Sequence, residues 1–151
     1  MHDVEVKIKF LENNKEQKLP FYATEGSAGM DLTACIEEDM ILKPLERVTV
    51  PTGIAIGLPS RDYGAFIFAR SGLATKKGIT LSNCVGVVDS DYTGEIKVGL
   101  INLSSEEYIL TKGERIAQMV ILPVAHAKFA VCEELDKTQR GSGGFGSTGA
   151  Y

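Results

Sequence analysis

Apolar and polar residues alternate along much of this chain. Val4, Val6, Ile8 and Phe10 are separated by charged residues, which is the two-residue period of a half-buried β-strand. Other short runs rich in β-branched and aromatic residues also predict strands. These runs are Arg47–Val50, Gly53–Leu58, Tyr63–Phe68, Val85–Val88, Glu95–Asn102, Tyr108–Leu110 and Arg115–Leu122. Because prolines and glycines punctuate them closely, we expect an all-β fold: an antiparallel sandwich, jelly roll or barrel.

Two segments depart from the strand pattern. A single short helix is predicted, with Ser71 as its N-cap, residues 72–77 in the helix and Gly78 ending it. The last fifteen residues hold five glycines and no apolar periodicity. We therefore predict one β-domain over residues 1–136 and a flexible, glycine-rich tail over residues 137–151.

Composition excludes several classes of protein. The 151 residues are enough for one domain, and 16 Lys+Arg against 20 Asp+Glu give a net charge of −4. This balance argues against a generally basic nucleic-acid-binding protein, so an anionic ligand needs a few placed cations. No apolar run approaches the ~18 residues of a membrane span. The first residues do not resemble a signal peptide, which predicts an intracellular location, cytoplasmic or nuclear.

Cysteine and histidine usage argues against a zinc ribbon, a dithiol redox site and a histidine-dependent hydrolase. Cys35, Cys84 and Cys132 are widely spaced, and no Cys-x-x-Cys pair occurs, so we expect neither a zinc ribbon nor a dithiol redox site. A Ser-His-Asp or Cys-His hydrolase would need His126, for which the sequence indicates no partner.

Two segments carry residues suited to phosphate. Arg70 and Ser71 stand at the predicted helix start, where a guanidinium, a hydroxyl and free backbone N–H groups could bind phosphate oxygens. The alternative is an ordinary N-cap beside a surface arginine. In the tail, Arg140 and Phe145 lie among glycines and hydroxyl residues. They could hold a phosphate and cover a base, or belong to a tail with no ligand.

Carboxylates and a tyrosine are concentrated in residues 83–95, which we predict to be a β-hairpin with its turn over 89–94. Its backbone N–H and C=O groups could pair with the edge of a base. Asp89, Asp91 and Tyr92 lie at the predicted tip. The alternative is that the aspartates only favour the turn and have no ligand. Asp31, at the edge of a strand, and Gln118, between apolar residues, are further candidates; alone, Asp31 would be a turn or surface residue and Gln118 an edge residue.

Taken together, five segments resemble the motifs of the dUTP pyrophosphatase (dUTPase) family, in the family's order and with similar spacing. They are AGMDLTA (28–34), ARSGLA (69–74), NCVGVVDSDYTGE (83–95), GERIAQ (113–118) and RGSGGFGSTG (140–149). Ala69 departs from the family pattern, which commonly has proline there. Since proline would only stiffen the approach to Arg70, this departure casts little doubt on the chemistry.

The resemblance implies a distorted jelly-roll fold and a homotrimer with shared active sites, in which the tail closes over a neighbouring subunit's site. It implies hydrolysis of dUTP to dUMP and pyrophosphate with Mg²⁺. Asp89 would be the general base that activates a water for in-line attack on the α-phosphorus. Asp31 would hold the ion directly or through its waters, and Arg115 would be a structural ion-pair partner.

The resemblance also implies a set of substrate contacts. Asn83 and the backbone of Gly86 and Val88 would read uracil and exclude a 5-methyl group. Tyr92 would pack under the deoxyribose, and Phe145 would stack on the base. The expected phosphate contacts and their glycine neighbours are Arg70, Ser71, Gly72, Gln118, Arg140, Gly146, Ser147 and Thr148.

Two alternatives remain at this stage. A dCTP deaminase would share the fold but carry a longer phosphate segment and a tryptophan in the hairpin, whereas this chain has no Trp. A non-enzymatic jelly-roll trimer would keep the strands without needing Asp89, Arg70 or the tail residues. No stable nucleic-acid or membrane partner is expected.

Overall fold

The computed structural model describes residues 3–144 and confirms the all-β prediction. The elements are β1 (Lys7–Phe10), β2 (Phe21–Tyr22), β3 (Met30–Thr33), β4 (Met40–Leu42), β5 (Arg47–Gly57), β6 (Tyr63–Ala69), α1 (Ser71–Lys77), β7 (Ile79–Leu81), β8 (Gly86–Val88), β9 (Glu95–Asn102), β10 (Tyr108–Leu110) and β11 (Arg115–Pro123).

The strands form three antiparallel sheets around one core. The first has the order β1-β5-β9-β7, the second β2-β3-β11-β6-β8, and the third pairs β10 with β4. Alternate residues point inward, so that Leu32, Val50, Ile67, Val98 and Leu110 from all three sheets are buried in the same cluster. The result is a jelly-roll-like β-sandwich.

The predicted strand boundaries were wrong in two respects. The separate runs Arg47–Val50 and Gly53–Leu58 form one continuous strand, β5, with a shift of register between Pro51 and Ala55. Gly53 takes a φ of +70° in this bulge, a conformation that favours glycine. Moreover, the short strands β2, β4 and β7, of two or three residues each, were not among the predicted strands.

The helix is one residue out of register with the prediction. Ser71 is its first residue, and Arg70, with φ −85° and ψ 124°, occupies the N-cap position without a side-chain capping bond. The predicted end is confirmed, because Gly78 adopts φ +69° and its N–H donates to the carbonyl of Ala74 at 3.0 Å. The Ser71 hydroxyl is therefore not used as an N-cap.

The predicted hairpin over residues 83–95 is wrong. The strands β8 and β9 exist as expected, but β8 pairs with β6, and β9 pairs with β5 and β7. Gly86 lets β8 approach β6 closely, since a Cβ there would lie 3.0 Å from Cβ of Ile67. Residues 89–94 thus cross between sheets, in a turn where the Tyr92 N–H donates to the Asp89 carbonyl at 3.1 Å.

After Pro123 the described chain, up to residue 144, contains no further helix or strand. Residues 124–137, which we call the C-terminal arm, begin where the Val124 N–H donates to the Asp62 carbonyl at 2.7 Å. Three apolar side chains of the arm are almost wholly exposed: Phe129 (96%), Val131 (102%) and Leu135 (86%). The only helix in residues 3–144 is too short to cross a membrane.

Candidate active site

The described candidate residues form two groups on the five-stranded sheet. The first contains Asp31, Arg70 and Gln118, which lie where β3, β6 and β11 meet: Gln118 is opposite both Asp31 and Phe68 in the ladders. The second surrounds the turn between β8 and β9 and consists of Asn83, Gly86, Val88, Asp89 and Tyr92. Ser71 and Gly72 follow Arg70 as exposed residues at the start of α1.

Asp31 is the centre of the first group. Only 2% of the residue is exposed, because two guanidinium groups cover its carboxylate. Arg70 Nε donates to Oδ1 and Arg115 Nη1 donates to Oδ2, both at 3.0 Å. Arg70 Nη1 also donates to the Arg115 carbonyl at 3.2 Å. The ion pair expected of Arg115 is therefore present, and Asp31 fixes the direction in which Arg70 points.

This geometry does not fit direct coordination of Mg²⁺ by Asp31. A magnesium ion takes carboxylate and water oxygens at ~2.0–2.1 Å in a near-octahedral arrangement. Both oxygens of Asp31 already accept charge-assisted hydrogen bonds, and the residue is almost fully buried. Residues 3–144 contain no cluster of three or more His, Cys, Asp or Glu side chains that could hold a metal ion.

A cavity of about 250 Å³ opens between β8 and β9, where the two sheets diverge. Because β8 is the last strand of its sheet, the N–H and C=O groups on its outer edge have no strand partner. The strand β7 pairs with β9 only at Leu100–Asn102, which leaves the first half of β9 unpaired on the same side. Two free backbone edges therefore face each other across this β8–β9 cavity.

The entrance to the cavity has an unusual backbone. Cys84 adopts φ +62°, and the Val85 N–H donates to the Asn83 carbonyl at 2.7 Å, so the chain reverses sharply before β8. This turn leaves Asn83 exposed at the cavity rim, close to Gly86.

Tyr92 has a fixed orientation at the same entrance. Its hydroxyl donates to the Glu95 carbonyl at 2.8 Å, while the residue remains 47% exposed. Its ring lies against Gly94, where an added Cβ would come within 2.7 Å of the hydroxyl oxygen. One edge of the ring is thus held by the turn, and the rest is free to contact a ligand.

Asp89 is exposed beside Tyr92, but far from the first group. Val88 is opposite Ala65 in the β6–β8 ladder, so Asp89 lies level with the first residues of β6, whereas Arg70 follows its last residue. Six residues of extended chain correspond to roughly 20 Å. The structure of one chain therefore does not bring Asp89 and Arg70 together.

The tail residues are only partly described. Arg140 is exposed in a turn in which its carbonyl accepts a hydrogen bond from the Gly143 N–H at 3.2 Å. Phe145, Gly146, Ser147 and Thr148 lie outside the described residues.

The dUTPase family matches residues 15–149. A deoxyuridine 5′-triphosphate nucleotidohydrolase of Desulfitobacterium hafniense is 52% identical over 149 residues, covering 99% of each chain. A mutant dUTPase of Staphylococcus bacteriophage 80alpha, solved with dUpNHpp, has a TM-score of 0.82 at 25% identity and covers 97% of this chain and 99% of that one.

A mutant dUTPase from phage phi11 of S. aureus, whose structure concerns the coordination of a structural Mg(II) ion, shares the fold. Its TM-score is 0.77 at 19% identity, and the match covers 88% of this chain and 99% of that chain. The match of family and relatives over nearly the whole length, together with the β8–β9 cavity and its aspartate, shows that this chain belongs to the dUTPase family and is a dUTP diphosphatase.

Proposed function

We propose that this chain hydrolyses dUTP through a water molecule activated by Asp89, which attacks the α-phosphorus in line with the departing pyrophosphate. The products are dUMP and pyrophosphate. The observation that carries this assignment is the position of Asp89: its side chain is exposed at the mouth of the β8–β9 cavity. A base seated in the cavity would leave its α-phosphate near the rim, within reach of a water bound by this carboxylate.

The cavity is suited to a uracil base. Uracil carries a donor and acceptors along one edge, which can pair with the free backbone groups of β8 and β9 as a further strand would. Gly86 and Val88 supply this edge, and Asn83 adds an amide at the rim. Because a base paired with this backbone edge would lie close to the chain at Gly86 and Val88, we propose that no room remains for the 5-methyl group of thymine.

The ring of Tyr92 is proposed to pack against the deoxyribose. Its hydroxyl is occupied by the Glu95 carbonyl, so the ring cannot swing away to admit a larger sugar. A 2′-hydroxyl would have to occupy the space of the ring, and UTP would then be a poor substrate.

The triphosphate is proposed to contact the Arg70 group of residues. Asp31 holds the Arg70 guanidinium in place. The hydroxyl of Ser71, which does not cap the helix, and the backbone of Gly72 follow Arg70 in the chain. Gln118 offers an amide on the neighbouring strand. Arg140, Ser147 and Thr148 of the tail, with Gly146 for close backbone approach, would bind the γ-phosphate, while Phe145 covers the base.

Magnesium is proposed to enter with the substrate. When bound with the substrate, Mg²⁺ would neutralise part of the charge of the triphosphate. Since Asp31 is fully engaged by two arginines, its role toward the ion would be indirect: it orders Arg70 beside the phosphates.

Asp89 and Arg70 can serve one substrate only if they come from different chains, which supports sites shared between copies, and we propose the homotrimer that the family resemblance implies. A row of apolar residues, Val87–Phe66–Val120, crosses the outer face of the sheet between the two groups, and Val87 is 63% exposed. A neighbouring copy would bury this row. The exposed apolar side chains of the C-terminal arm offer a second surface for the same purpose.

The assay that tests the proposal measures pyrophosphate release from dUTP, UTP, dCTP and dTTP under identical conditions. We expect rapid release from dUTP alone. Release of ammonia from dCTP would indicate a deaminase, and no reaction with any of them would indicate a binding protein.

A further inference from the structure

Glu95 connects the wall of the cavity to a distant part of the fold. It is the first residue of β9, and its carbonyl accepts the hydrogen bond of Tyr92 at 2.8 Å. Its side chain turns the other way, where Oε1 accepts from the Gly53 N–H at 3.0 Å and from Asn13 Nδ2 at 3.2 Å. The same residue therefore holds Tyr92 with its backbone and the β5 bulge with its carboxylate.

The bulge explains why this connection is needed. Between Pro51 and Ala55 the register of β5 against β9 shifts: Pro51 pairs with Lys97 and Ala55 pairs with Glu95, so Ile96 alone faces the three bulge residues 52–54. Two side-chain hydrogen bonds add to these backbone pairs at the bulge. Thr52 Oγ1 donates to the Ile96 carbonyl at 2.6 Å, and the Gly53 N–H donates to Glu95 Oε1.

The far end of the connection is itself fixed. The carbonyl of Asn13 accepts a hydrogen bond from the Cys35 thiol at 3.2 Å. Burial and the nearby Glu95 charge raise the pKa of this thiol, so it retains its proton at neutral pH. Gly53 cannot be replaced without disturbing the arrangement, because an added Cβ would lie 2.6 Å from Cβ of Asn14.

We propose that Glu95 is a positioning residue for sugar selection: by tying the start of β9 to Gly53 and Asn13, it fixes the Tyr92 ring where it excludes a 2′-hydroxyl. The ion pair from Glu95 Oε2 to Lys97 Nζ, at 3.6 Å, contributes little, because Lys97 is half-exposed. The inference rests on the role proposed above for Tyr92.

The test compares Glu95→Ala, Glu95→Gln and Lys97→Ala by the ratio of kcat/KM for dUTP to kcat/KM for UTP. Glu95→Ala removes both acceptor contacts, so this ratio is expected to fall roughly ten-fold, since small displacements of a positioning group are costly. Glu95→Gln keeps an oxygen acceptor, so its dUTP to UTP ratio of kcat/KM should remain close to that of the parent chain. Lys97→Ala loses only the ion pair and should stay within about two-fold of the parent chain.

A general loss of stability must be distinguished from loss of positioning. Leu110→Val trims a buried residue of β10, which pairs with β4 and takes no part in the cavity walls, and serves as the destabilised control. The proposal predicts that Leu110→Val lowers the melting temperature without changing the sugar ratio. A Glu95→Ala protein with the parent ratio would overturn the proposal, as would a Leu110→Val protein whose ratio falls equally at a similar melting temperature.

Tyr92→Ala separates failure of this inference from failure of the proposed function. If Tyr92→Ala lowers the dUTP to UTP ratio and Glu95→Ala does not, the positioning role of Glu95 is wrong while the role of Tyr92 stands. If Tyr92→Ala leaves the ratio unchanged, the sugar contact itself is wrong and the Glu95 proposal falls with it.

Discussion

Asp89 and Arg70 project from opposite ends of the same pair of antiparallel strands. Asp89 follows β8 where β8 meets the beginning of β6, and Arg70 follows the last residue of β6. The separation is roughly 20 Å along the strand, too far for both to act on one triphosphate. If both residues act on one substrate, as proposed above, the Asp89 end of one copy must meet the Arg70 end of another.

The general-base role of Asp89 predicts a large effect on turnover. Asp89→Asn preserves the size of the side chain but removes its basic oxygen, so kcat for dUTP should fall by a factor on the order of 10² or more. Binding of an imido analogue of dUTP should remain close to that of the parent chain, measured by titration calorimetry. If turnover stays within a few-fold of the parent, another group must activate the water.

The proposed contact of Tyr92 with the deoxyribose predicts that changes at this residue weaken discrimination between dUTP and UTP. Replacing Tyr92 with alanine opens the space beneath C2′, so the ratio of kcat/KM for dUTP to that for UTP should fall by about ten-fold or more. Tyr92→Phe keeps the ring but loses the hydrogen bond to Glu95, and should give a smaller decrease. Equal ratios in the parent and both variants would assign sugar selection elsewhere.

Asp31→Asn tests whether this carboxylate orders arginines or holds magnesium. The change leaves two guanidinium groups without their shared anion. We expect a loss of about 1–3 kcal/mol in the free energy of unfolding, less than for a fully buried pair because Arg70 and Arg115 keep contact with water. Urea denaturation without metal measures it. Unchanged stability, together with a lost response to Mg²⁺, would contradict the structural role.

Removal of the tail is expected to lower dUTP hydrolysis without unfolding the β-domain. A chain ending at Gln139 keeps every described strand, the last of which ends at Pro123, so its melting temperature should be close to that of the full chain. Because it lacks Arg140, Phe145 and the hydroxyl residues beyond, kcat/KM for dUTP should fall by a factor on the order of 10². Full activity in the shortened chain would remove the tail from the site.

The sequence predicted the features that depend on a local pattern of residues. It failed for strand pairing, which depends on residues far apart in the chain. Alternation identified the longer strands, and Gly78 correctly marked the helix end. The hairpin prediction was wrong because adjacency along the chain favours pairing of β8 with β9, whereas the close approach of Gly86 to Ile67 commits β8 to β6. No local signal near residue 83 reveals that preference.

The candidate site shows the same division. The motifs singled out Asp31, but its arginine partners lie 39 and 84 residues away, so its burial could not be deduced from neighbouring residues. Glu95 was seen only as the end of a motif. Its partners Gly53 and Asn13 lie 42 and 82 residues away, and the bulge that makes them available has no signature beyond a glycine after Pro51-Thr52.

The central claim is that Asp89 of one copy and Arg70 of another form one active site, and mixing two inactive variants tests it most directly. Arg70→Gln and Asp89→Asn chains, each nearly inactive alone, are unfolded together in equal amounts and refolded, and distinct affinity tags isolate the mixed assemblies. Random association in a symmetric trimer completes about a quarter of all sites in the whole mixture and about a third of the sites in mixed trimers, so dUTP hydrolysis by the isolated mixed assemblies near a third of the parent activity is predicted. Activity in isolated mixed assemblies no higher than the mean of the two variants would contradict the account.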